Sequence, residues 1–286
     1  MKIGVFDSGI GGITVLTELR RKFADADFVY LGDTAHVPYG TKSPAQIEKL
    51  SIACAKTLKA KNIDALVVAC NTASSLALDV IQEVMGSTPV FGVVGPGIEA
   101  VLGAWQDKSQ TKSKSNPPPS SRCIPILILA TRATVQSQAY GKTLRSILDP
   151  AWSQSENDVS HGVPTTAVVI EQACPLLVPM IEEGWVDHTI LHQTILEYIR
   201  PHLHLSESGI ALLGCTHYPW IHQAFEKALP GWAVVNSALA VAESLERSSL
   251  FEKRRKNELS RGQVEWIFTD PDAVPSFAKK LILSGG

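Results

Sequence analysis

Two of the five cysteines occupy matching positions. Residues 65–69 are an apolar run followed by Cys70-Asn71-Thr72, and residues 211–214 are an apolar run followed by Cys215-Thr216-His217. A thiol where a strand meets a helix N-terminus faces the helix dipole and free N–H groups, which favour the thiolate, so a lowered pKa is expected at both. One strand-end cysteine alone reads most simply as a small buried hydrophobe. A matched pair suits a particular task, the inversion of a stereocentre. One group removes a proton from one face while the other returns a proton to the opposite face. A free thiol titrates at about 8.5, so modest tuning brings it close to neutral pH. The α-hydrogen of an amino acid is a far weaker acid than any such base. The site must therefore stabilise a carbanion-like state by hydrogen bonds and exclude water. Asn71, Thr72 and Thr216, beside the thiols, can donate hydrogen bonds to a substrate carboxylate.

Two further motifs follow apolar runs. Asp7-Ser8-Gly9-Ile10-Gly11-Gly12 offers a tight turn into a helix and backbone N–H groups for an anion. Its spacing fits neither a dinucleotide fingerprint nor a P-loop, so a carboxylate-sized anion is expected, with a simple strand–helix turn as the alternative. Asp33-Thr34-Ala35-His36-Val37-Pro38-Tyr39-Gly40 reads as a loop whose aspartate orients a base or a substrate ammonium, or supplies turn chemistry.

The elements that must carry these motifs alternate along the chain. Strands are expected at 2–6, 28–31, 65–69, 90–94, 124–130, 165–170, 210–213, 232–235 and 264–268. Helices are expected at 13–23, 44–61, 73–85, 134–148, 176–183, 186–199, 220–229, after the 232–235 strand to about 256, and after the 264–268 strand to 282. The pattern predicts an α/β fold with mostly parallel sheets, in which ligands bind at the carboxyl ends of strands. Residues 3–8 echo 126–131, as 65–72 echo 211–217, which suggests two similar lobes facing a cleft. The expected division is 1–97 with 207–286 for the first lobe and 98–206 for the second. Residues 107–122, rich in Ser, Lys and Pro, read as a disordered or surface insertion, and 153–163 as a polar loop.

Composition narrows the function classes. Of 286 residues, 45% are hydrophobic and 19% charged, with a formal net charge of −2, which favours neither nucleic acid nor an anionic membrane as a partner. No apolar stretch approaches the roughly 20 residues of a membrane helix and no leader is evident, so a cytoplasmic location is expected. Cys54, Cys70, Cys123, Cys174 and Cys215 lack the spacing of a disulfide framework or a zinc site, so no metal is expected.

Taken together, the sequence resembles the glutamate racemase family of the cofactor-independent aspartate/glutamate racemase superfamily. The resemblance covers nearly the whole chain outside 107–122 and 153–163. It rests on Phe6-Asp7-Ser8-Gly9-Ile10-Gly11-Gly12, Pro38-Tyr39-Gly40, Ala69-Cys70-Asn71-Thr72-Ala73, Ala173-Cys174-Pro175 with Val178-Pro179, and Leu213-Gly214-Cys215-Thr216-His217-Tyr218-Pro219. It implies that Cys70 takes the proton from D-glutamate and Cys215 from L-glutamate, assisted by Asp7 and His217, with no cofactor. Asp33 and Glu182 match further acidic positions. Asp7, Ser8, Tyr39, Gly40, Asn71, Thr72, Thr131, Thr216 and His217 match substrate-binding positions. The implied role is supply of D-glutamate for peptidoglycan by a homodimer. Some relatives are reported to bind DNA gyrase; the near-neutral charge gives that interaction no support here.

Ala130-Thr131-Arg132-Ala133-Thr134 departs from the family in carrying Arg and Ala at a usually small or glycine-containing step, while both threonine hydroxyls are retained. Arg132 is thus the departure that bears on cleft access or regulation. Cys174, with no counterpart in the other lobe, is read as structural. The histidines other than His217 have surface or core explanations. The alternatives are an aspartate racemase on the same scaffold, a thiol–disulfide enzyme (against which the lack of Cys-x-x-Cys argues), a non-catalytic binding protein, and a pyridoxal enzyme, for which no lysine stands out.

Overall fold

The computed structural model describes residues 1–114, 123–148, 167–248, 251 and 261–283. The first part of the chain runs β1 (Lys2–Asp7), α1 (Ile13–Lys22), β2 (Asp27–Gly32), α2 (Pro44–Lys59), β3 (Ala65–Val68), α3 (Asn71–Leu76), α4 (Leu78–Met85), β4 (Val90–Gly92) and α5 (Val94–Lys114). It continues with β5 (Ile124–Ala130), α6 (Arg132–Ser137), α7 (Ala139–Leu148), β6 (Ala167–Ala173), α8 (Leu177–Glu182), α9 (Thr189–Ile199), β7 (Ile210–Gly214), α10 (His222–Ala228) and β8 (Ala233–Asn236). It closes with α11 (Ser237–Arg247), β9 (Val264–Phe268) and α12 (Ser276–Leu283).

Two sheets form, ordered β4-β3-β1-β2-β9 and β6-β5-β7-β8, and every pairing is parallel. Parallel strands covered on both faces need apolar side chains on both, and the sequence supplies them. In β5, Leu127 and Leu129 enter one core while Ile126 and Ile128 enter the other. In β3, Ala65 and Val67 divide from Leu66 and Val68 in the same way. Without β9 the two sheets share one order, β2-β1-β3-β4 matching β6-β5-β7-β8. The echo read from the sequence is thus a topological one: β3, which ends at Cys70, corresponds to β7, which ends at Cys215.

The structure corrects the expected lobe boundary. Residues 207–236 do not belong with the first lobe, because β7 pairs with β5 and β8 with β7. The chain returns only at α11, whose Ala238, Val241, Ala242 and Leu245 enter the core beneath β1. The polar stretch at 206–209 is a connection into β7 and marks no change of lobe. The expected insertion at 107–122 is corrected in part: α5 runs through to Lys114, since no Gly or Pro interrupts residues 104–114. The remainder, 115–122, and the polar loop at 153–163 lie outside the described residues. The helices expected at 73–85 and 134–148 are each broken, at Ala77 and at Gln138, the latter with a left-handed φ of 55°. Both start earlier than periodicity indicates, because Cys70 Sγ accepts the Ala73 N–H and Thr131 Oγ1 accepts the Thr134 N–H as N-caps.

Two glycines let the lobes approach. A Cβ on Gly11 would stand 2.3 Å from Thr216 Oγ1 and 2.4 Å from His217 Nδ1. One on Gly40 would stand 2.5 Å from Thr131 Cβ. Gly11→Ala is expected to cost about 1–3 kcal/mol through overpacking, read as a lower denaturation midpoint with an unchanged far-UV CD spectrum. A variant as stable as the parent would contradict this packing.

Candidate active site

The carboxyl ends of β1, β3, β5 and β7 converge. A pocket of about 300 Å³, part of it open to solvent, is lined from the first lobe by Ser8, Tyr39, Gly40, Cys70, Asn71 and Thr72. The second lobe contributes Thr131, Val178, Cys215, Thr216 and His217. Both thiols are almost fully buried, at 4% and 5% exposure, and neither is in a disulfide.

The surroundings of the two sulfurs differ. Cys70 Sγ donates to Ser8 Oγ at 3.4 Å and accepts the Ala73 N–H at 3.5 Å. Burial first, then the charge of Asp7, push its thiol up to about 12, against the opposing hydrogen bonds of Ser8 and Ala73. The expectation of a lowered pKa is therefore corrected at Cys70: one long N–H···S contact from a short helix does not offset dehydration beside a carboxylate. Cys215 Sγ lies 3.9 Å from His217 Nδ1, and His217 Nε2 is 2.9 Å from Glu182 Oε1. Burial alone would lower the His217 pKa, but the hydrogen bonds to Cys215 and Glu182 and their charges prevail and raise it to about 10. One thiol thus faces a carboxylate and the other an imidazolium.

Asp7 ends β1 fully buried. Its Oδ2 accepts the Gly9 N–H at 2.9 Å, and its Oδ1 accepts the Thr216 hydroxyl at 3.1 Å. Burial raises its pKa, opposed by His217, the Gly9 and Gly12 N–H groups and Thr216. This corrects the anion-site reading of the glycine-rich turn: its N–H groups hold the chain's own Asp7, and residues 9–12 do not line the pocket.

Hydroxyls gather where the lobes meet. Thr72 Oγ1 lies 2.9 Å from Thr131 Oγ1 and 3.2 Å from Thr134 Oγ1, and the latter two are 2.9 Å apart. Asp33 stands outside this group. Its carboxylate accepts from the Tyr39 hydroxyl at 2.6 Å and the Thr269 hydroxyl at 2.7 Å, and His36 Nδ1 lies 2.8 Å away. It therefore fixes the loop that carries Tyr39 and Gly40 and faces neither thiol. Cys174 packs in the second lobe's core, its Sγ 3.6 Å from Gln172 O. Arg132 is exposed and lines a neighbouring pocket of about 260 Å³ with Thr41, Cys174 and Pro175. One buried side chain at the site escaped the sequence reading: the Tyr140 hydroxyl, on α7, accepts from Asn71 Nδ2 at 2.7 Å. It reads as one more apolar-face residue of an amphipathic helix.

No family model matches the chain. It is 38% identical to the glutamate racemase of Aquifex aeolicus over 283 residues, 99% of this chain and 94% of that one. It is also 38% identical to that of a Sulfurihydrogenibium species over 253 residues, 87% of this chain and 84% of the relative. The glutamate racemase of Francisella tularensis, solved in complex with D-glutamate, superposes with a TM-score of 0.77 at 31% identity, covering 99% of this chain and 93% of that one. Fold, site and relatives define a two-lobed α/β isomerase. The chain belongs to the glutamate racemase family.

The His217 environment has a pH signature. A pKa raised from 6.5 to about 10 contributes stability that is complete below 6.5 and lost as pH rises through about 10. Glu182→Gln removes one of the partners that raise it. The His217 imidazole should then titrate at least one unit lower by NMR, with the alkaline loss of stability beginning earlier; an unmoved midpoint would contradict the assigned cause.

Proposed function

We propose that the chain interconverts L- and D-glutamate by moving protons at the α-carbon between two thiols, Cys70 and Cys215, without a cofactor. The observation that carries this reading is a thiol at corresponding strand ends of two like lobes, both lining one pocket. Cys70, held protonated by burial and Asp7, starts as the acid. Cys215, beside a cationic His217 backed by Glu182, starts as the base. By the family resemblance this is the form that accepts L-glutamate. After one turnover the roles reverse, with Cys70 now the thiolate against Asp7, and they reset on the return of a proton. The threonine hydroxyls of both lobes offer donors for carboxylate. Burial of the site keeps water from the carbanion-like state.

Glutamate as the substrate rests on the relatives' identity; D-glutamate supply for peptidoglycan by a homodimer rests on the family resemblance alone. No lysine of the described residues lines the pocket, which leaves a Schiff-base reading without its residue.

Cys70→Ser and Cys215→Ser are each expected to lower racemisation by about 10²–10⁴-fold, the usual weight of a general acid or base, with folding intact. Full activity in either variant would sink the two-thiol reading. In D₂O the parent should place deuterium at Cα of glutamate and not of aspartate; equal exchange of both would undo the substrate assignment.

A further inference from the structure

A hydrogen bond crosses between the lobes and leaves one polar atom without a partner. Asn71 follows Cys70 directly, lines the pocket and is 2% exposed. Its Nδ2 donates to the Tyr140 hydroxyl at 2.7 Å, while its Oδ1 is buried with no hydrogen-bond partner. An unpaired buried acceptor in a pocket marks a place where a donor arrives. Of the charged groups on an α-amino acid, the ammonium alone donates. The two ends of a side-chain amide have nearly the same shape, so Asn71 needs something to decide which end faces the pocket. In the arrangement present Nδ2 meets the Tyr140 hydroxyl, which leaves Oδ1 as the unpaired end.

Tyr140 is itself well fixed. It is fully buried in the second lobe's core with Ile128 and Leu144. Its ring edge lies 3.6 Å from where a Cβ on Gly214 would stand, the residue just before Cys215. One side chain therefore hydrogen-bonds the neighbour of one thiol and stands beside the neighbour of the other.

We propose that Tyr140 is a positioning residue, whose hydroxyl holds the Asn71 amide with Oδ1 toward the substrate ammonium. The proposal rests on the amino-acid reading above and adds how the amino group is recognised. It separates the ammonium from the carboxylates, since the hydroxyl cluster of Thr72, Thr131 and Thr134 does not involve Tyr140.

Tyr140→Phe removes the hydroxyl and keeps the ring. The measurement is steady-state kinetics with each glutamate enantiomer, together with competitive inhibition by glutarate, which has both carboxylates and no amine. KM should rise about tenfold for both enantiomers with kcat within about threefold, as for loss of one charge-assisted contact, and glutarate should inhibit as before. Asn71→Ala should add little in the Tyr140→Phe background. A merely structural role would weaken glutamate and glutarate together, and that result, or no change in either, would overturn the proposal. Turnover of glutamate by the parent tests the underlying reading separately. Should the parent be inactive, calorimetric binding of L-glutamate and glutarate to parent and variant reads the same selectivity.

Discussion

The fold buries the carboxylate of Asp7 where its two lobes meet, and the surrounding site is arranged to make that burial tolerable. An unpaired carboxylate in such a place is costly. Here the glycine-rich turn gives it backbone N–H groups from its own lobe, while Thr216 gives it a hydroxyl from the other. The glycine at position 11 follows from the same contact, because a side chain there would stand where Thr216 and His217 must be. The contact between the lobes thus supplies one of the hydrogen bonds of Asp7, and both thiols line the pocket beside it.

The same carboxylate makes the two thiols unequal. Burial first, and then its charge, push the Cys70 thiol up, while the His217 imidazole lies beside Cys215. Glu182 extends the second arrangement outward from His217. Burial and charge keep the proton on Cys70, the acid of the proposed mechanism. Tuning of this kind is the means by which two groups of one type take opposite acid–base roles.

The parts of the molecule legible in the sequence were those fixed by local pattern. Apolar runs ending at Cys70 and Cys215 gave the strand ends, and Val264–Phe268 is found at its expected bounds. The return point between lobes was not legible, because β7 resembles a first-lobe strand in composition and only its pairing with β5 assigns it. The contacts of Asp7 with Thr216, of Asp33 with Thr269 and of Asn71 with Tyr140 all join residues far apart in the chain. Periodicity carries no information about such pairs. Local signals also misled, as at the glycine-rich turn and at the strand-to-helix thiol, where dehydration outweighs the dipole at Cys70.

In the proposed mechanism two opposed groups handle the α-proton. Initial-rate turnover of L-glutamate in D₂O, with both enantiomers recovered and analysed by mass, tests it most directly. Two opposed thiols predict that the D-glutamate formed carries one deuteron at Cα while recovered L-glutamate carries none. Deuterium appearing in both enantiomers at comparable rates would mean that a single group serves both faces, and would contradict the account.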